Sequence, residues 1–198
     1  MTELSSPNSL KQRLGGRNIY LVGMMGSGKS STGPYLAEGL GYGWVDSDKV
    51  IEEVCGQSIS TIFDAEGEQG FRIVETQVLN EIGQHHTLIV ATGGGLVTKS
   101  ENWGVLHQGI VVWLDPGVTS LLQRLRANPG ERPLFQRDNP VDAFKLLYTQ
   151  REKFYVEADL HVEVGEEDPE GVAKQILLKL PSIIRSSNDP GAPQTIAR

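Results

Sequence analysis

The chain has 198 residues, 38% of them hydrophobic and 22% charged, with a formal net charge of −7. That length buries one substantial core, and the acidic balance argues against nucleic acid or an anionic membrane surface as the main partner. A single cysteine, Cys55, forms no internal disulfide, no apolar run reaches spanning length, and residues 1–16 lack the apolar centre of a secretion signal, so a soluble cytoplasmic protein is expected.

The first expected element is a strand over Asn18–Val22, which leads into Gly23-Met24-Met25-Gly26-Ser27-Gly28-Lys29-Ser30. A glycine, four residues of any kind and then Gly-Lys-Ser is the spacing of a nucleoside-triphosphate phosphate loop. Its glycines let successive backbone N–H groups approach and ring a phosphate at a helix N-terminus. Lys29 then supplies a point charge for the β and γ phosphates, and the Ser30 hydroxyl reaches Mg²⁺. A helix is expected from Ser30 to Leu40 and a short strand over Gly43–Val45. After that strand comes Asp46-Ser47-Asp48: one carboxylate can hold Mg²⁺ while the other accepts a proton from an alcohol, or Asp46, Ser47 or Asp48 can cap the following helix, expected over Lys49–Val54.

A longer helix, Gly67–Ile82, places Arg72 and Glu75 one turn apart. The pair is either a solvated ion pair or a guanidinium that Glu75 aims at a carboxylate ligand. The next strand, Thr87–Ala91, runs into Thr92-Gly93-Gly94-Gly95, where glycines serve close backbone approach to a ligand or merely a flexible turn. A helix over Ser100–Leu106, a strand over Gly109–Leu114 and a helix over Val118–Arg126 follow. The polar loop from Asn128 to Asn139 has the length of a mobile lid, and closure of such a lid could bring Arg132 onto a transferring phosphoryl group. The helix Val141–Glu157 carries Arg151 and Tyr155; Arg151 is an anion ligand or an exposed helical arginine. A strand over Leu160–Val164 and a helix over Pro169–Leu180 close the chain, and the four histidines show no metal-ligand spacing.

Five strands interleaved with helices imply an α/β fold, a parallel sheet covered on both faces, with ligands beyond the carboxyl ends of its strands. The expected division is a flexible N-terminal extension over residues 1–17, one P-loop domain over 18–180 with a lid at about 128–139, and a disordered tail over 181–198.

From about Asn18 to Leu180 the chain resembles the shikimate kinases. The resemblance rests on the phosphate loop, Asp46-Ser47-Asp48, Ile62-Phe63, Gly67-Glu68, Phe71-Arg72 with Glu75, Gly93-Gly94-Gly95, Glu101-Asn102, Arg132-Pro133-Leu134, and Arg151 with Tyr155. It implies a three-layer P-loop kinase fold with a five-stranded parallel sheet in the order 2-3-1-4-5. It also implies ATP-dependent phosphorylation of the 3-hydroxyl of shikimate, a step of aromatic amino acid biosynthesis, with one Mg²⁺ and with ATP and shikimate as small-molecule partners of a monomer. By resemblance, Lys29 and the loop residues Gly26, Ser27, Gly28, Ser30 and Ser31 hold the nucleotide phosphates, and Ser30 and Asp46 serve the metal. Asp48 holds ring hydroxyls and is the candidate base; Arg72 and Arg151 grip the substrate carboxylate, Glu75 orients the pocket, and Gly94 donates a backbone N–H. Arg132 is the lid arginine, and Arg126 lies against the adenine with Asp168 and Pro169 nearby. Three places depart from the family pattern: Ser31-Thr32, Trp103 where arginine is usual, and Phe135 where leucine is usual. A related small-molecule kinase such as gluconate kinase, or a non-catalytic nucleotide-binding regulator, are the alternatives.

Overall fold

Five apolar runs become the strands β1 (Ile19–Val22), β2 (Gly43–Asp46), β3 (Leu88–Ala91), β4 (Ile110–Asp115) and β5 (Leu160–Glu163). In the computed structural model, which describes residues 7–127 and 139–184, they form one sheet in the order β2-β3-β1-β4-β5. Every neighbouring pair is parallel. Such strands need a crossover between each pair, and the crossovers here are helical: α2 (Lys29–Leu40), α3 (Ser47–Cys55), α4 (Ile59–Gly83), α5 (Ser100–Leu106), α6 (Gly117–Ala127) and α7 (Pro140–Tyr155), while α8 (Pro169–Ile183) follows the last strand.

Successive side chains of a strand point to opposite faces, and β1 is buried on both. Tyr20 and Val22 pack with Phe71, Leu79, Leu121 and Tyr155 on one side. Ile19 and Leu21 pack with Leu36, Leu40 and Ile176 on the other. The edge strand β5 alternates buried and exposed residues instead. The register pairs Val22 with Trp113 and Asp46 with Ala91, so Gly23, Ser47, Thr92 and Asp115 arrive at one rim of the sheet.

Three expectations are corrected. Within residues 1–17, Pro7–Leu14 is a helix, α1, rather than a flexible lead. Leu10 and Leu14 are buried, Lys11 Nζ donates to Gly41 O at 2.8 Å, and Arg13 Nη2 donates to Pro181 O at 3.0 Å and Ile184 O at 2.6 Å. Those carbonyls end α2 and α8, where no further turn of helix satisfies them. For the same reason the tail does not begin at 181: α8 runs to Ile183, and Ile184 is buried beside α1. Third, a further helical segment from Ile59 precedes the expected helix: α4 runs from Ile59 to Gly83 and is broken at Gly67, whose φ of 69° leaves the helical path. Residues 185–198, and the lid apart from Asn139, lie outside the described residues. Among the described residues no helix is long and apolar enough to cross a membrane.

Candidate active site

The rim carries two adjoining clefts. The first, of about 440 Å³, surrounds the phosphate loop. Gly23 has φ 140°, and a Cβ there would lie 2.6 Å from the Leu114 carbonyl oxygen of β4; no other residue fits that approach. Gly28, at φ 98°, is the left-handed N-cap of α2 and places no side-chain cap over the helix N-terminus. The first-turn N–H groups are therefore free of a side-chain competitor for an anion. Lys29 is buried, its Nζ donating to Gly23 O at 2.8 Å, Met24 O at 2.9 Å and Ser27 Oγ at 3.3 Å. The ammonium is thus held inside the loop that the sequence predicts it to serve. Ser30 and Ser31 are exposed to the cleft.

Arg124, not Arg126, faces this cleft. Its guanidinium donates to Gly26 O at 3.5 Å and Gly165 O at 3.3 Å, while Arg126 is exposed and does not line it. The two are about 200° apart around α6, and the buried Leu121, Leu122 and Leu125 set which of them points inward. Asp168 is likewise engaged elsewhere: it caps α8, accepting from Gly171 N at 2.7 Å, and its neighbour Pro169 lines the cleft. Arg132 lies outside the described residues.

The second cleft, of about 800 Å³, is walled by α3, α4, α7 and the glycine run after β3. Asp46 caps α3, its Oδ1 accepting from Asp48 N at 3.1 Å, so the capping role weighed for this triplet is filled by Asp46. Asp48 is turned inward, and its Oδ1 is buried without a hydrogen-bond partner. Glu75 is fully buried; Oε2 accepts from Arg72 Nη1 at 2.6 Å and Oε1 has no partner. Both orphan oxygens face one point: a Cβ on Gly93 would lie 3.0 Å from Asp48 Oδ1 and closer still to Glu75 Oε1.

Arg72 is 8% exposed and bonded also to Glu68 Oε1 at 3.3 Å, which removes the solvated-pair reading. Its guanidinium lies 5.2 Å from the centre of the Phe71 ring, and it occupies the space where a Cβ on Gly95 would stand, with Nη1 at 2.7 Å. Arg151 enters from α7 beside Gly94, and burial lowers its pKa. Burial raises the pKa of Asp48, reinforced by Asp46 and opposed by Lys29 and Arg72. Burial likewise raises that of Glu75, against the pull of Arg72. Buried carboxylate oxygens without donors are costly, and both residues line the second cleft.

The glycine run is the seam between the clefts. A Cβ on Gly94 would lie 3.3 Å from Gly23 O and 3.4 Å from Met25 N of the phosphate loop, and 3.6 Å from Arg151 Nη1. Ser47, which the sequence offers only as a helix cap, instead fixes the start of the run: its buried Oγ accepts from Gly93 N at 3.2 Å. No local pattern could reveal that contact, which spans 46 residues, whereas the leucine spacing of α6 does carry the signal for Arg124. Together the rim offers a phosphate cradle, an acceptor carboxylate and two guanidinium groups on opposite sides of a glycine strap. Phosphoryl transfer to a hydroxyl of an anionic acceptor is the chemistry such a set can perform.

The shikimate kinase family model matches residues 25–181. A shikimate kinase of Prochlorococcus marinus (strain MIT 9313) is 61% identical over 184 residues, covering 93% of this chain and 96% of its own length. Among solved structures, a shikimate kinase from Acinetobacter baumannii in complex with shikimate superposes with a TM-score of 0.82 at 41% identity, covering 87% of this chain and 97% of that one. A gluconokinase from Sinorhizobium meliloti 1021 reaches a TM-score of 0.54 at 16% identity, covering 85% of this chain and 94% of that one, and shares the fold alone.

Proposed function

The chain belongs to the shikimate kinase family, and we propose that it transfers the γ-phosphoryl group of ATP to the 3-hydroxyl of shikimate, giving shikimate 3-phosphate and ADP. The observation that carries this reading is the unpartnered, buried Oδ1 of Asp48, set between the phosphate loop and the Arg72–Glu75 pair. In the proposed reaction a bond forms between the acceptor oxygen and the γ phosphorus as the bond to the ADP oxygen breaks, and the hydroxyl proton passes to Asp48. Arg72 and Arg151 hold the shikimate carboxylate, Glu75 keeps Arg72 aimed, and a Gly94 N–H steadies the ring side of the substrate. Lys29 and the loop amides of Gly26 to Ser31 hold the phosphates, and Arg124 joins the nucleotide side in the place expected for Arg126. Arg132 is assigned charge neutralisation by family resemblance alone.

The hydroxyl of Ser30 and the carboxylate of Asp46 are hard oxygen donors of the kind Mg²⁺ takes together with water and phosphate oxygens. We assign the metal to them; when bound, it supplies charge neutralisation on the β and γ phosphates. We place the enzyme in the cytoplasm as a monomer; described residues of one chain line both clefts, so neither needs a second copy to form its walls.

ADP release from the purified chain with ATP and Mg²⁺, measured with shikimate, with gluconate and with no acceptor, tests the reading. Release that depends on shikimate is expected. Release with gluconate alone would reassign the acceptor, and binding of both substrates without turnover would make the chain a regulator. Gly95→Ala probes the carboxylate clamp through backbone alone: Gly95 has φ −99°, so alanine is unstrained, but its Cβ displaces the Arg72 guanidinium. Its KM for shikimate is expected to rise by about 10- to 100-fold, as for a displacement on the order of 1 Å, with KM for ATP unchanged in steady-state assays.

A further inference from the structure

Across the glycine run from Asp48 stands a buried phenol that the transfer step does not use. Tyr155, at the end of α7, is 0% exposed, and its ring stacks on Trp113 with centroids 5.7 Å apart. Its hydroxyl donates to Gly94 O at 2.6 Å. The Arg151 guanidinium, one helical turn earlier, interacts electrostatically with the same hydroxyl, and a Cβ on Gly94 would lie 3.6 Å from its Nη1. Burial pushes the phenol well above its ordinary pKa, so the proton stays on the oxygen at neutral pH and the direction of the bond to Gly94 is fixed. Gly94 is also the residue that lies against Gly23 and Met25 of the phosphate loop. One hydroxyl therefore ties down the glycine that lies between the phosphate cradle and the arginine on the acceptor side.

We propose that Tyr155 is a positioning residue: by donating to Gly94 O beside the Arg151 guanidinium, it sets where the acceptor's carboxylate is held relative to the phosphate loop. The inference rests on the shikimate kinase reading above and extends it to a residue that touches neither substrate. Packing alone does not explain the arrangement. A phenylalanine would fill the same slot, whereas the hydroxyl, at a short hydrogen-bonding distance from the Gly94 carbonyl, also holds the orientation of that peptide.

Tyr155→Phe removes one oxygen and keeps the ring. Dissociation constants for shikimate and for ATP, taken separately by calorimetry, are to be measured for the unaltered chain, Tyr155→Phe, Arg151→Ala and the double variant, together with kcat, KM and Tm. Tyr155→Phe is expected to weaken shikimate binding and to lower kcat/KM for shikimate by about 10- to 100-fold, with ATP binding within about twofold. In the Arg151→Ala background the same change is expected to cost a small part of that in shikimate affinity, because the two side chains act as a unit. Fully additive losses in the cycle, equal weakening of both substrates, or a lowered Tm with unchanged kinetics would each overturn the inference, as would a Tyr155→Phe chain that does not fold, since the hydroxyl would then belong to the fold. If the unaltered chain shows no shikimate-dependent turnover, the family-based reading itself fails and takes this inference with it. Turnover in the unaltered chain with unchanged constants in Tyr155→Phe refutes the role of Tyr155 alone.

Discussion

Asp48→Asn is expected to lower kcat by about 10²- to 10⁴-fold, the range for loss of a general base, while the Kd for ATP stays within about twofold. The substitution preserves shape, so the walls of the acceptor cleft stay where they are. What is lost is the charge and the proton-accepting oxygen that Asp48 holds ready without a partner. A second readout moves the opposite way. Burial and the nearby Asp46 hold the Asp48 carboxyl above its ordinary range in the folded chain. A group raised in this way contributes stability that is fully present below its unfolded pKa and lost as pH rises through the folded value. At neutral pH the buried anion is a net cost, so the amide should raise Tm in the absence of nucleotide, metal and shikimate. Thermal unfolding at pH 7 beside single-turnover kinetics checks both effects. A variant with near-normal rates removes Asp48 from the base role, and one that loses activity and stability together points to a packing defect instead.

Arg72→Ala is expected to raise the KM for shikimate by about 100-fold, as for loss of a charge-assisted hydrogen-bonding group, and to leave the KM for ATP almost unchanged. The change also strands Glu75, whose partner is gone although the residue remains 1% exposed. Breaking a buried pair by removing one member costs about 3–5 kcal/mol, so Tm should fall as well. The double variant Arg72→Met with Glu75→Gln separates the two consequences, since it withdraws both charges and keeps the volume close. It should recover much of the lost Tm and none of the shikimate affinity. Equal effects of Arg72→Ala on both substrates would contradict a carboxylate clamp.

The parallel sheet was legible because most strands are short, apolar, β-leaning runs that alternate with helices, and because the phosphate loop fixes which strand precedes which helix; the order of the strands followed only from the family resemblance. The amino-terminal part of α4 was not: Ile59, Thr61 and Ile62 are β-branched and weak helix formers, and the turn they make is held by the cap from Ser58 to Thr61 N at 3.2 Å and by packing. Helix α1 was missed because Pro7–Leu14 carries little apolar surface, although Pro7 at a helix start and leucines four apart were available signals. In the site, the phosphate loop and the Arg72–Glu75 spacing could be read locally. That Glu75 is buried, that Asp46 caps while Asp48 does not, and that Ser47 holds Gly93 are results of tertiary packing, which no window of sequence encodes.

The contacts of Arg13 with the last carbonyls of α8 bring residue 7's helix and residue 184 together at the end of the sheet remote from the phosphate loop. A short peptide joining these two points would close the chain into a ring without crossing either cleft, and the ring could be reopened at a surface turn such as that between α5 and β4. Enzymes rearranged in this way, or carrying a reporter in the joining peptide, should keep their turnover, because the only bonds disturbed lie at the pole opposite the chemistry.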